Sequence, residues 1–98
     1  MTDLITMQVM RYALEQIADE MGYTLVRTGR STIITEIKDI SCVITDVIGQ
    51  TVAQAHHTPS LLAGFEITMK ELVAKYKPED LSPGDVIITN DPYKGGQH

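Results

Sequence analysis

From Leu4 to about Thr28, apolar side chains return at steps of three and four, as Met7, Met10, Leu14, Ile17, Met21 and Leu25. That is the period of a helix with an apolar stripe, and no proline interrupts it. Asp3 stands where an N-cap is wanted. Gly22 costs about 1 kcal/mol relative to Ala in a helix interior and is expected to kink or end the helix. At roughly 1.5 Å per residue the run would be about 35 Å long, so part of it is expected to pack against polypeptide outside this chain. Methionines at helical spacing read as core rather than as an adaptable partner-binding surface.

A polar junction, Arg27 to Thr32, follows. Its two arginines and hydroxyls suit either a carboxylate or phosphate ligand, or a solvated helix end whose cations complement the dipole. The stretch from Ile33 to Asp46 is rich in β-branched residues and is expected to hold one or two strands, Ser41 to Asp46 being the clearer. Asp46 to Gly49 then closes a hairpin onto Thr51–His56. A second helical pattern covers Leu61 to Tyr76, ending before Pro78. Residues 79–84 form a connecting loop, and Val86-Ile87-Ile88, after Pro83-Gly84, reads as a final buried strand. The order helix, hairpin, helix, strand is an α+β arrangement, with the helices covering one face of a small sheet.

The chain has 98 residues, one core's worth, and a folded domain of that size buries roughly two-thirds of its unfolded surface. A net charge of −5 argues against a nucleic-acid partner, which needs a basic face. One cysteine, Cys42, excludes an internal disulfide and points to a reducing, cytoplasmic compartment. No window approaches a membrane span.

Chemistry concentrates after Thr89, in Asn90-Asp91-Pro92-Tyr93-Lys94-Gly95-Gly96-Gln97-His98. The Walker phosphate-loop spacing is absent around Lys94-Gly95-Gly96. Asp91 and His98, on one glycine-bearing loop, can reach a common divalent metal, for which carboxylate and imidazole are ordinary ligands. Glu36 and Asp39 flank Lys38 before the first hairpin strand, a pattern shared by solvated surface and by acid–base pairs. His56 and His57 on one strand would point to opposite faces unless Pro59 turns the chain. Cys42 reads as a small core residue.

These motifs in this order resemble the N-terminal part of the B subunit of the hydantoinase/oxoprolinase family. The carriers are the opening helix ending near Arg27-Thr28, Glu36-Ile37-Lys38-Asp39-Ile40-Ser41-Cys42, Val52-Ala53-Gln54-Ala55 with His57 and Pro59, Pro83-Gly84-Asp85, and Asn90-Asp91-Pro92-Tyr93 with Gly95-Gly96 and His98. The resemblance implies that residues 1–98 are the first segment of a larger domain, cut at its C-terminal end. It implies a metal role (Zn, Mn or Fe) for His98, which opens a His-x-x-Asp motif in the family, and active-site positions for Glu36, Asp39, His57 and Asp91. It also implies a partner, an A-type subunit that binds ATP with Mg, activating a cyclic amide for ring opening. A ketone carboxylase subunit is the alternative within the same resemblance, and a non-catalytic subunit-interaction module is the alternative of another class. Two departures stand out: Ser60-Leu61-Leu62 where many members carry a second histidine, and Gln97 in place of the more usual threonine.

Overall fold

A computed structural model describes residues 3–55 and 60–94, with side chains in the second stretch described from residue 64 onward. Helix α1 runs from Leu4 to Thr28 without a break. The Asp3 carboxylate caps it, accepting from the Thr6 N–H at 2.7 Å, and the Gly29 N–H closes its far end on the Leu25 carbonyl. Arg11 pairs with Glu15 one turn on, at 3.2 Å.

Gly22 neither kinks nor ends the helix, contrary to expectation. It is buried, as is Ala18 one turn before it. Ala18 is on the face that α1 lays against the hairpin, packed on Cys42 and Ala55, where a larger side chain would hold the elements apart.

The hairpin is β1, Val43–Thr45, paired antiparallel with β2, Thr51–Gln54. Val43 faces Gln54 and Ile44 faces Ala53, then the register slips so that Thr45 faces Thr51. The pairing continues past the strands as the Ala55 N–H donates to the Cys42 carbonyl. The turn forms as its residue types dictate. One Asp46 carboxylate oxygen accepts from the N–H groups of Ile48 and Gln50, and Gly49 takes a positive φ of 91°. Beneath α1 the core consists of Ala18, Cys42 and Ala55 with Ile44 against them. Among the described residues the other buried apolar side chains are Ile40 and Ala53, so the core is built almost wholly of small residues.

Three expectations need correction. The segment starting at Ile33 is no strand: Thr32–Thr35 form a one-turn helix, α2, because the Ser31 hydroxyl caps it by accepting from the Ile33 N–H. The chain then turns back through Lys38, in the left-handed region at φ 59°, before β1 begins. Val86–Ile88 is not paired into a sheet, since the sheet among the described residues has two strands, β1 and β2. The methionines of α1 are not core: Met7 and Met10 are more than half exposed, because nothing among the described residues packs on that part of the helix.

Helix α3, Ser60–Lys75, begins and ends within a residue of the expected span. It meets the hairpin at its turn rather than across the sheet face. A β-carbon on Gly49 would lie 3.4 Å from both Met69 and Val73 of α3. A 3-10 turn, Pro78–Asp80, and an extended stretch lead to a second 3-10 turn, Pro92–Lys94, which returns to α3.

Candidate functional site

The turn at Asp91–Lys94 is fixed by both its own residue types and α3. Asp91 is half-buried, and its Oδ1 accepts from the Tyr93 N–H at 3.0 Å while its carbonyl accepts from the Lys94 N–H. Aspartate before proline sets this local turn. Two side chains of α3 then hold the turn in place. The Thr68 hydroxyl donates to the Lys94 carbonyl at 2.9 Å, and the Glu71 carboxylate pairs with the Lys94 ammonium at 3.0 Å. The hydrogen bond and charge of Glu71, with a smaller contribution from Asp91, hold the Lys94 ammonium above its usual pKa.

Between these groups lies a cleft of about 210 Å³ lined by Thr68, Glu71, Lys75, Thr89, Asp91 and Lys94 over a floor of Leu72, Tyr76 and Ile87. Lys75 sits over the Tyr76 ring, 5.5 Å from its centroid. The cleft thus offers cations, carboxylates and hydroxyls above an apolar base, a composition suited to a small polar ligand with one apolar face. Thr68, Glu71 and Lys75 did not stand out in the sequence. Their signal was a polar row at steps of three and four on a helix read for its apolar set.

The other candidates lie elsewhere or outside the described residues. Glu36 caps the C-terminal end of α2 and is exposed, its N–H bonded to the Thr32 carbonyl. Asp39 is half-buried in the same loop, with its N–H on the Ile33 carbonyl. Neither lines the Asp91 cleft. His57 and His98 lie outside the described residues, as does His56. Among the described residues no three potential metal donors converge. Arg27 and Arg30 are exposed at and just beyond the end of α1, as cations complementing a helix dipole would be. Cys42 is buried, and burial pushes its thiol pKa up, the opposite of what a nucleophile needs.

The arrangement is that of a mixed α+β segment presenting a small polar cleft at the root of a loop. The chain belongs to the hydantoinase B/oxoprolinase family, whose model matches residues 3–98. It is 40% identical over 98% of its length to an uncharacterised protein of Methanocaldococcus jannaschii, covering 17% of that protein. To the B-type subunit of a putative D-/L-hydantoinase of Pseudomonas sp. it is 36% identical, again over 98% of this chain and 17% of the relative. To 5-oxoprolinase 1 of Arabidopsis thaliana it is 38% identical over 98% of this chain and 8% of the relative. The chain therefore spans about a sixth or less of the length of these relatives. No solved structure matches it significantly. Among the described residues no helix is long and apolar enough to cross a membrane.

Proposed function

We propose that the chain serves as part of a B-type subunit in the ATP-dependent opening of a cyclic amide of the hydantoin or 5-oxoproline type. The observation that carries this reading is the family match over residues 3–98, with relatives named for those two activities. A relative named as a subunit supports the existence of a partner, for which we propose an A-type chain that binds ATP with Mg and activates the amide oxygen. The matched stretch is 17% of the hydantoinase relative but 8% of 5-oxoprolinase 1, so the latter is about twice as long. That ratio is what a fusion of two such subunits would give. Both named substrates are cyclic amides, which favours ring opening over ketone carboxylation.

In the reaction proposed, the terminal phosphoryl group of ATP passes to the amide oxygen with release of ADP, water adds its oxygen to the carbonyl carbon, the ring C–N bond breaks as the nitrogen takes up a proton, and a second water hydrolyses the resulting acyl phosphate to carboxylate and phosphate. Asp91 fits a divalent cation in donor type and placement, being a half-buried carboxylate held by the Tyr93 N–H at the edge of the cleft. Asp91 and His98 would hold such an ion, which when bound supplies polarisation of a carbonyl or activation of water. Lys75 and Lys94 favour anionic groups in the cleft, and Thr89 offers a hydroxyl to orient them. His57, outside the described residues, is proposed to move protons to and from the opening ring, as imidazoles do in general acid–base catalysis, whereas Glu36 and Asp39 line no part of this cleft.

The test is ring opening of 5-oxoproline and hydantoin by the native gene product with its A-type partner, monitored as ADP release and ring-opened product. Turnover that requires ATP, and that falls at least about tenfold with Asp91→Asn, is expected. Elemental analysis should show a divalent metal that is lost with His98→Ala. Full activity in both variants would remove the proposed roles, and absence of any ATP-linked turnover would remove the reaction.

A further inference from the structure

The first turns of α1 are exposed on every side. Residues 3–13 are all exposed, and the first buried position of the helix is Ala18. At roughly 100° per residue, Leu4, Tyr12, Ile5, Val9, Met10 and Met7 fall at about 0°, 80°, 100°, 140°, 240° and 300° around the axis. Apolar side chains therefore encircle this part of the helix, with Thr6, Gln8 and Arg11 scattered among them. A helix built to lie on a flat surface or in an open groove keeps one polar face, whereas one apolar all round is enclosed.

The surface of the whole chain agrees. It exposes 7857 Å², where a folded protein of 10.8 kDa exposes about 5,500 Å². The excess, roughly 2,300 Å² on one side, is the scale of a permanent interface. Part of it lies at Val86 and Ile88, which point outward on either side of the more enclosed Ile87.

We propose that residues 4–13 are a plug, a helix tip seated in an apolar socket formed by the B-type polypeptide that lies outside this stretch. Two observations select that occupant. The family match includes the whole tip, so these residues lie within the family's matched region. In the two relatives of which this stretch is 17%, about five-sixths of the polypeptide lies outside it, enough to surround a helix. A second copy of α1 packed along the tip would cover one stripe and leave the opposite side in water.

Met7 and Met10 are built-in reporters, since enclosure slows their oxidation. The native gene product, with whatever polypeptide accompanies it, is treated with dilute peroxide, folded and in urea, and sulfoxide at each methionine is read by mass spectrometry. Oxidation of Met7 and Met10 at least tenfold slower in the folded form, and protection lost in Val9→Asp with α-helical circular dichroism retained, is the expected result. Equal rates in wild-type protein, folded and unfolded, overturn the proposal without any variant. Protection in a species whose sedimentation mass is a small multiple of 10.8 kDa assigns the tip to a second copy and overturns the occupant. Protection that arises only on phosphatidylcholine vesicles does the same. The measurement uses neither ATP nor substrate, so its outcome is independent of the proposed reaction.

Discussion

Single side chains decide more of the local structure than their exposure suggests. The Asp3 carboxyl is held below its usual pKa, chiefly by the Thr6 backbone N–H. Its folded value is depressed, so its contribution is complete above the ordinary carboxylate range and is lost as pH falls through the lowered value. Amide exchange in the first turn of α1 should therefore quicken, relative to its intrinsic rate, as pH drops below about 4. Gly49 is constrained twice, by a φ of 91° and by Met69 and Val73 at 3.4 Å from any added β-carbon. Gly49→Ala should cost about 1–3 kcal/mol, seen as a lower urea midpoint with unchanged slope. Cys42, buried with its thiol pKa raised, should react with a disulfide reagent at a pH of about 7.5 far more slowly in native protein than in urea. Asp3, Asp46 and Gly49 were all legible in the sequence, because caps and tight turns are written in residue types a few positions apart.

Among the elements, α1, the hairpin and α3 could be read from period and punctuation, whereas α2 and residues 86–88 could not. Ile33-Ile34 is too short an apolar run for period to separate strand from helix, and a single hydroxyl on Ser31 tips it to helix. Val86-Ile87-Ile88 has the composition of a buried strand, but pairing needs a neighbour, which no local pattern supplies. The joint between α1 and the hairpin rests on small residues, with Ala18 at 0% exposure beside Cys42 and Ala55. Ala18→Leu should therefore overpack it and lower stability by about 1–3 kcal/mol in equilibrium urea unfolding, while Leu at exposed Gln16 should cost little. Gly22, expected to kink or end the helix, is instead buried within an unbroken one.

At the scale of the whole chain the expected burial is not reached. A 10.8 kDa chain exposes about 15,700 Å² unfolded, so the 7857 Å² that remains exposed means that about half is buried rather than two-thirds. The radius of gyration, 14.8 Å, likewise exceeds the roughly 13 Å of a compact domain of this length. By itself the 98-residue chain should bind anilinonaphthalene sulfonate and melt over a broad range in calorimetry. A sharp, cooperative transition without dye binding would contradict this. The candidate site was legible only in part for a related reason. Asp91 announced itself by the company it keeps in sequence, but the row Thr68, Glu71 and Lys75 gains meaning only once α3 is folded against the loop.

The bare tip of α1 also sets an order in time. It is made before the hairpin, and roughly 37 residues after Ala18 is made Ala55 arrives to meet it, a matter of about 2–7 s at ordinary rates of synthesis. A socket built from polypeptide translated afterwards leaves the tip waiting, its greasy turns open to any chaperone that holds nascent chains.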